Sequence, residues 1–186
     1  MSLILASASP RRREILKNAG FDFIVSVSEC EEKNDGSLSP DKLCVSLASQ
    51  KALDVLKRYP DDIVVGADTV VSIDNMILGK PKDEEDAFKM LRILSGKTNS
   101  VYTGVCIASK YSVKTFFEKS DVLFYELSDS EIEEYVKTGE PLDKAGSYGI
   151  QGMGCLLIKE IHGDFFNVVG LPVARFYREL KSFLKA

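Results

Sequence analysis

The run of Val and Ile residues from Ile63 to Ile73 constrains the fold more than any other feature of the chain. A long β-branched apolar run is typical of an interior strand, with protein packed on both of its faces. We expect a turn at Asp74 and Asn75 to end this strand. The chain therefore belongs among folds that cover a sheet with helices.

Hydrophobic periodicity and turn residues predict the other elements. Residues 3–5 predict a buried strand, and residues 11–18 predict a helix with Ser9 as N-cap, Pro10 at its first position and Gly20 past its end. Further helices are predicted at residues 39–59, 83–94, 128–138 and 171–184. Further strands are predicted at residues 21–27, 99–108, 113–127 and 155–161. Residues 28–37 are predicted to form a mobile polar loop, and residues 139–154 a structured glycine-rich loop.

Two long strands that pair with each other, 99–108 and 113–127, argue against a uniformly parallel doubly wound sheet. We therefore predict an α/β fold with a mixed sheet flanked by helices. The 186 residues suit one domain, or one small domain of two lobes, and two independent modules would be cramped. We take residues 1–186 as a single domain.

Charge and hydropathy exclude several functional classes. The chain carries 24 Lys and Arg against 28 Asp and Glu, a net charge of −4, which argues against a protein that coats nucleic acid. Any polyanion must therefore meet a local basic cluster. No apolar run approaches the ~20 residues that span a bilayer, and residues 1–8 lack a signal-peptide pattern. We expect a cytoplasmic protein with neither nucleic acid nor a membrane as its partner.

The cysteine spacing predicts no metal or redox motif. Cys30, Cys44, Cys106 and Cys155 are far apart and form no C-x-x-C pair. We interpret them as reduced thiols, at least three of them core residues. The chain has a single histidine, His162, so a His-rich metal site is excluded.

The first candidate site lies at residues 7–13, where two hydroxyls, a helix N-terminus and three consecutive arginines follow a strand. Backbone N–H groups at a helix N-terminus bind oxyanions, and Arg adds forked donors that match phosphate oxygens. A plain capped helix with solvated arginines is the alternative.

The second candidate is Asp68, a carboxylate within the predicted interior strand. Burying a carboxylate costs several kcal/mol unless a cation, a metal or a hydrogen-bond donor compensates. The pattern favours a metal-binding or general-base role. An aspartate on a locally exposed sheet face is the alternative.

Four further charged positions are candidates to join Asp68. Lys51 lies on the apolar stripe of its predicted helix, where snorkelling of its ammonium to water is the ordinary explanation. Lys80 lies in a stiff turn before Pro81 and is either a cation for the same pocket or an ordinary exposed lysine. Glu31 and Glu32 lie in the polar loop, where either a solvated charge or a second Mg²⁺ carboxylate is consistent with the sequence.

Two phosphate-handling motifs are excluded by their spacing. Gly96-Lys97-Thr98 resembles the end of a P-loop, but Leu91 stands where that motif needs glycine. The position two residues after Asp68 is Val70, so the chain also lacks the second aspartate of haloacid-dehalogenase-type phosphatases.

Taken together, ordered sequence blocks along the whole chain resemble the Maf family of nucleoside triphosphate pyrophosphatases. The blocks lie at residues 5–12, 66–71, 79–81, 94–98, 139–146, 148–152 and 168–172. The first reads LASASPRR and the second GADTVV. The resemblance implies a two-lobed fold like that of inosine triphosphate pyrophosphatases. Several blocks in order at family spacing are far more specific than any one of them.

The resemblance implies hydrolysis between the α and β phosphates of a nucleotide, giving a monophosphate and pyrophosphate, with Mg²⁺ or Mn²⁺ as the metal. It further implies a triphosphate cradle, a pair of carboxylates that act as metal ligands or base, and a substrate-binding group near the base. The cradle residues are Ser7, Arg11, Arg12, Lys51 and Lys80. The carboxylates are Glu32 and Asp68, and the remaining substrate-binding residues are Thr69 and Gln151.

Within the family, the blocks around Gln151 resemble the branch that acts on dTTP and UTP. Modified pyrimidine nucleotides stay open as substrates, because residues 164–166 depart from the family pattern. A regulator that binds nucleotides and acts in cell division or septum formation without essential turnover is the competing class. A phosphatase that releases inorganic phosphate is the enzyme alternative, and a homodimer is left open.

Overall fold

The computed structural model describes residues 1–34, 36–74 and 76–185. Within these residues, strands and helices alternate along the chain. The strands are β1 (Leu3–Leu5), β2 (Ile24–Val25), β3 (Ile63–Ile73), β4 (Met76–Leu78), β5 (Thr98–Ala108), β6 (Val113–Phe124) and β7 (Ile158–His162). The helices are α1 (Pro10–Asn18), α2 (Pro40–Leu56), α3 (Glu84–Leu94), α4 (Asp129–Val136), α5 (Phe165–Val169) and α6 (Val173–Phe183).

The strands form a mixed sheet in the order β2-β1-β3-β5-β6-β7, and β4 pairs with β3 outside this path. Strand β1 is parallel to both neighbours, with Ile4 opposite Ile24 and Val64. Parallel neighbours need a crossover connection, and α1 and α2 lie in the two crossovers concerned. Strand β4 is antiparallel to β3, and β7 is antiparallel to β6. The predicted α/β fold with a mixed sheet and flanking helices is confirmed.

The chain forms two compact units, with three boundaries within β3, β5 and β6 and a fourth directly after α5. The first unit comprises Met1–Thr69, Thr103–Glu118 and the chain from Gly170 onward, and the second comprises Val70–Tyr102 and Lys119–Val169. Each has its own apolar core. The core of the first unit includes Ile4, Ala48, Ala52, Val64 and Cys106. The core of the second includes Leu91, Val101, Phe124, Ile132 and Tyr135.

Two glycines in the first unit allow α2 to lie against the sheet. A Cβ placed at Gly66 in β3 would lie 2.2 Å from the carbonyl oxygen of Ala48. A Cβ at Gly104 in β5 would lie 2.3 Å from the carbonyl carbon of Cys44. Backbone therefore meets backbone at both positions, which leaves no room for a side chain.

Several predicted boundaries are confirmed together with their local cause. Ser9 accepts a hydrogen bond from the Arg12 amide and begins α1, while Gly20, just past its end, has φ +77°. Ser128 and Glu131 form the reciprocal capping box that begins α4. Strand β3 has the predicted bounds. Of the predicted turn, Asp74 is described with φ +49°, whereas Asn75 lies outside the described residues.

Other predictions are wrong in part. Residues 21–27 contain only the two-residue strand β2, and Phe21, which lies before it, packs its ring on Phe176 of α6 with centroids 5.4 Å apart. Residues 155–157 lie in a 3₁₀ segment, Gly152–Leu157, so the last strand begins at Ile158. The structure adds β4 and α5, and Pro172 precedes α6 and is not part of it.

The cysteines are free thiols, as predicted, but only Cys44 and Cys106 are buried. Cys30 is half-buried and Cys155 is exposed, so the prediction of at least three core cysteines is wrong. Burial raises the pKa of Cys106 to about 11. Among the described residues, no helix has the length and apolar character needed to cross a membrane.

Candidate functional site

Lys51 joins two of the predicted site carboxylates in the first unit. Its Nζ donates a hydrogen bond to Oδ1 of Asp68 and lies 3.0 Å from Oε1 of Glu32. The Lys51 and Asp68 side chains are 17% and 15% exposed, whereas Glu32 is 45% exposed. We call these three residues the lysine–carboxylate group. The snorkelling interpretation of Lys51 is therefore wrong, because its ammonium binds carboxylates instead of extending into bulk water.

The close approach of α2 to β3 explains this pairing. Ala52 N would lie 2.9 Å from a Cβ at Gly66, so the helix meets the strand beside Lys51. Asp68 follows Gly66 by two residues on the same strand, and alternate residues of a strand share a face. Gly66 therefore lets α2 come close enough to β3 for Lys51 to reach Asp68.

Glu32 reaches Lys51 because its loop is hydrogen-bonded to α2. The Lys33 amide donates to Oε1 of Gln50 at 2.8 Å, and Nε2 of Gln50 donates to the Lys33 carbonyl at 3.1 Å. Further along the helix, Oδ2 of Asp54 accepts from Ser28 Oγ and from the Glu29 amide, each at 3.0 Å. These bonds hold the pKa of Asp54 below its usual value. Ser28, Glu29 and Lys33 of the predicted polar loop are therefore hydrogen-bonded to the helix.

Gln50 and Asp54 were not among the residues that the sequence pattern singled out. The available signal was their spacing of four residues, which places two polar side chains on the same face of α2 as neighbours. That spacing is also common on solvated helix faces, so it did not single them out.

A second group lies around the buried guanidinium of Arg12, which is 9% exposed. Its Nε donates to the Gly170 carbonyl at 2.8 Å, Nη1 to Ser7 Oγ at 3.2 Å, and Nη2 to Thr69 Oγ1 at 3.0 Å. Thr69 Oγ1 also lies 2.9 Å from Thr103 Oγ1. We call Ser7, Arg12, Thr69 and Gly170 the arginine group.

The two groups interact electrostatically within the first unit. Burial lowers the pKa of Arg12, and the charge of Asp68 opposes that shift, with a smaller contribution from Glu32. Arg11 adds like-charge repulsion. A guanidinium has five N–H groups. Three of them bind the described residues above, and the other two have no hydrogen-bond partner among the residues that the structure describes.

The structure thus places seven predicted site residues in the first unit, six of them in the two groups and Arg11 beside Arg12. Ser7, Arg12, Thr69, Glu32, Lys51 and Asp68 form the two groups. Arg11 follows Pro10 in the first turn of α1 and is half-exposed. Glu31, the loop alternative to Glu32, is exposed.

Lys80 and Gln151 belong to the second unit. Lys80 follows β4 and is exposed, and its ammonium has no ion-pair partner in the described part of the chain. Gln151 is also exposed and directly precedes the 3₁₀ segment that begins at Gly152. The Gly146 amide donates to the Gly79 carbonyl at 3.0 Å, so the Lys80 turn and the loop of Gln151 are bonded to each other.

The carboxylates of the lysine–carboxylate group fit a small hard cation. No cluster of three or more His, Cys, Asp or Glu side chains is present among the described residues. Mg²⁺ is commonly held by one or two carboxylates together with substrate phosphates and water, so it needs no such cluster. Glu32 and Asp68 supply that donor set, since both approach the same ammonium.

Arginine and lysine side chains next to paired carboxylates on an α/β fold are typical of proteins that act on phosphate groups with a divalent metal. Sequence comparison identifies the family. The model of the family described as Maf-like protein matches residues 2–183. A Bacillus cereus (strain G9842) relative named dTTP/UTP pyrophosphatase is 53% identical over 181 residues, 97% of this chain and 95% of the relative. A Bacillus cytotoxicus relative of the same name is 53% identical over 180 residues, 97% of this chain and 94% of the relative. The chain belongs to the Maf family.

Two solved structures are also similar. The Staphylococcus aureus Ham1 protein has a TM-score of 0.49 at 16% identity, covering 85% of this chain and 80% of its own. A HAM1 protein from Coxiella burnetii has a TM-score of 0.48 at 18% identity, covering 66% of this chain and 72% of its own.

Proposed function

We propose that this protein hydrolyses the α–β phosphoanhydride of dTTP and UTP to the nucleoside monophosphate and pyrophosphate. Such a reaction serves a house-cleaning role in nucleotide metabolism, and modified pyrimidine triphosphates are further candidate substrates. The observation that carries the proposal is Lys51 between Glu32 and Asp68, beside the buried Arg12. Relatives that match nearly the whole chain and are named dTTP/UTP pyrophosphatase support the choice of substrate.

The cations of the site suit a triphosphate. In the first unit, Arg11, Arg12 and Lys51 supply positive charge, and Arg12 keeps two N–H donors. Ser7 and Thr69 hold the guanidinium in place. From the second unit we propose Lys80 as a phosphate-binding cation, on the family resemblance and because its ammonium has no partner among the residues that the structure describes. Positive charge opposite phosphate stabilises the transition state of phosphoryl transfer.

Glu32 and Asp68 are the residues that would hold Mg²⁺ or Mn²⁺. A bound divalent cation neutralises phosphate charge and orients the triphosphate. The carboxylate of this pair that is not needed as a ligand accepts a proton from the attacking water. The water oxygen forms a bond to the α phosphorus as the bond from that phosphorus to the bridging oxygen breaks, and pyrophosphate leaves.

Gln151 is proposed to contact the base. A side-chain amide both donates and accepts, which matches the edge of uracil or thymine. Its position next to the glycine-rich 3₁₀ segment leaves its side chain exposed for such a contact.

One assay separates this proposal from the two alternatives. The protein is incubated with each nucleoside triphosphate and Mg²⁺, and pyrophosphate and inorganic phosphate are measured separately. We expect pyrophosphate, formed fastest from dTTP and UTP, and no turnover in the presence of a chelator. Inorganic phosphate as the first product would indicate a phosphatase. Binding without turnover would indicate the nucleotide-binding regulator of cell division or septum formation.

Three further properties are part of the proposal. We propose the cytoplasm as the compartment, because nucleoside triphosphates are cytoplasmic and free thiols suit a reducing environment. We propose that residues 1–186 act as one domain, since the family match spans both units. A homodimer stays a prediction, for which sedimentation or light scattering is the direct measurement.

A further inference from the structure

Thr103 of β5 is a buried residue of the first unit whose hydroxyl contacts the arginine group. Its Oγ1 lies 2.9 Å from Oγ1 of Thr69. The same Thr69 oxygen accepts a hydrogen bond from Nη2 of Arg12 at 3.0 Å. Because Thr103 is 0% exposed, it lies out of reach of a substrate, and its bond to the arginine group passes through Thr69.

Strand alternation explains why the two threonines meet. Strands β3 and β5 are neighbours in the sheet, and Gly66 and Gly104 both face α2, where a Cβ would collide with helix backbone. Thr69 lies three residues after Gly66, and Thr103 directly precedes Gly104. These odd separations place both threonines on the face of the sheet that points away from α2. The contact at Gly104 also fixes the path of β5 beside Thr103, so a change of the Thr103 side chain acts on its neighbours and not on the position of the strand.

The orientation of the Thr69 side chain depends on its hydrogen bonds. A threonine has two branches of similar size, a hydroxyl and a methyl group, so packing alone distinguishes them weakly. Thr69 is half-buried, so the core does not enclose it on every side. A guanidinium only donates, so Arg12 requires the oxygen branch. The Thr103 hydroxyl adds a second bond to that oxygen and favours the rotamer in which the oxygen faces Arg12.

The Thr69 oxygen is one of three acceptors that orient the guanidinium of Arg12, one at each nitrogen. The Gly170 carbonyl accepts from Nε, Ser7 Oγ from Nη1, and Thr69 Oγ1 from Nη2. Three points define a plane, whereas two acceptors leave a planar group free to tilt about the line that joins them. The bond at Thr69 therefore fixes the tilt of the guanidinium, and with it the direction of the two N–H groups that bind none of these three acceptors.

We infer that Thr103 is a positioning residue for phosphate binding: its hydroxyl holds the Thr69 oxygen toward Arg12 and so fixes the plane of the guanidinium that meets the phosphate groups. This inference rests on the proposed function, in which Arg12 is one of the cations that bind the triphosphate. Thr103 touches no substrate and acts through Thr69. Its effect therefore falls on the strength of phosphate binding at Arg12.

Thr103→Val tests this inference, because it removes the hydroxyl at nearly constant shape. The probe is inorganic pyrophosphate, whose binding in the presence of Mg²⁺ is measured by titration calorimetry. We expect its Kd to rise about fivefold and kcat/KM for dTTP to fall by a similar factor, the effect of losing about one hydrogen bond. Thr103→Ser keeps the hydroxyl and should stay within about twofold of the wild type in both measurements. If Thr103→Val does not fold, Thr103→Ala decides against Thr103→Ser, because these two variants differ only in the hydroxyl.

A double-mutant cycle separates positioning from loss of stability. Thr69→Val removes the hydroxyl through which Thr103 acts, so it should weaken pyrophosphate binding at least as much as Thr103→Val does. In the Thr69→Val background, Thr103→Val should then cause no further loss, whereas a purely structural effect would add in both backgrounds. Ile107→Val trims a fully buried residue of the same strand and is the control. It should lower the Tm and leave the Kd for pyrophosphate unchanged.

The inference is overturned if Thr103→Val keeps the wild-type affinity for pyrophosphate, or if its effect is undiminished in the Thr69→Val background. A wild-type protein that releases no pyrophosphate from dTTP or UTP overturns the proposed function instead. The binding measurements then decide the role of Thr103 by themselves, because they require no turnover. A wild-type protein that neither turns over these nucleotides nor binds pyrophosphate overturns both.

Discussion

The side-chain amide of Gln50 bonds the main chain of Lys33 in both directions, at 2.8 Å to its N–H and 3.1 Å to its carbonyl. Each partner is the sequence neighbour of a site residue. Glu32 precedes Lys33, Lys51 follows Gln50, and the Glu32 and Lys51 side chains lie 3.0 Å apart. Gln50 therefore sets the path of the loop that brings the Glu32 carboxylate to the ammonium.

Replacing Gln50 by alanine should weaken the use of metal. Both bonds to Lys33 are lost, so Glu32 spends less time beside Lys51 and Asp68. We expect the Mg²⁺ concentration for half-maximal turnover to rise by about tenfold, the effect of losing one to two hydrogen bonds. Lys33→Ala is the matched control, because Lys33 contributes its main chain to this pair. Equal effects of the two substitutions would contradict the role given to Gln50.

Asp68→Asn should abolish turnover without unfolding the protein. The substitution keeps the shape of a side chain that is 15% exposed, and it removes the charge that binds Lys51 and would hold a metal or accept a proton. We expect pyrophosphate release from dTTP to fall by about 10²-fold or more. Asp61→Asn, at an exposed carboxylate of the same unit, is the control. Near-normal kcat in Asp68→Asn would show that the aspartate is structural.

Lys51→Met should separate the phosphate and carboxylate roles of this lysine. Methionine keeps the apolar stem and removes the ammonium, so Glu32 and Asp68 lose their shared counter-charge. We expect turnover to be lost and Mg²⁺ to raise the Tm more than it does in the wild type, because the cation now supplies that charge. Lys57→Met, at an exposed lysine, serves as the control. An active variant with unchanged response to Mg²⁺ would exclude Lys51 from the site.

The parts of the fold that the sequence predicted correctly depend on local chemistry. Ser9 and Ser128 begin helices by accepting bonds from amides three residues on, which is readable from a few neighbouring residues. The predicted strand at residues 21–27 is only two residues long, and Phe21 instead packs on Phe176, a contact between distant parts of the chain that no local pattern shows. Strand β4, three residues long, is too short to give a periodic signal.

As with the fold, the parts of the candidate site that depend on local sequence were predictable, and the contacts between distant residues were not. Asp68 was noticeable in the sequence because its apolar neighbours on the strand offer no charge or hydrogen-bond donor to a buried carboxylate. In the structure, the Lys51 ammonium forms an ion pair with it. The partner itself was ambiguous in the sequence, since a lysine on an apolar helix stripe also fits snorkelling. Gln50 acts by bonding main-chain groups of a loop. Such bonds leave no pattern in the sequence, because any residue can supply the backbone partner.

Gly66→Ala should destabilise the first unit and disturb the lysine–carboxylate group together. The added Cβ would lie 2.2 Å from the Ala48 carbonyl oxygen, so α2 must move away from β3. Overpacking of a core typically costs about 1–3 kcal/mol, which corresponds to a Tm lower by several degrees in a chain of this size. Gly79→Ala is the control for stability, because no atom of the described residues lies within 4 Å of a Cβ there. An unchanged Tm in Gly66→Ala would show that the helix accommodates the methyl group.

Lys80→Ala should reduce kcat/KM for dTTP by about 10²-fold, because a cation that faces phosphate charge in the transition state is typically worth about 3 kcal/mol. Lys80 is exposed and its ammonium binds no carboxylate in the described residues, so the substitution breaks no ion pair in that part of the chain. We therefore expect an unchanged Tm. The control is Lys82→Ala, an exposed lysine two residues away whose main-chain amide, and not its side chain, bonds Asp86.

Wild-type kinetics in Lys80→Ala would show that only the cations of the first unit bind the triphosphate. Arg11, Arg12 and Lys51 would then have to balance its charge alone, and combining Lys80→Ala with Lys51→Met would cause no greater loss than Lys51→Met.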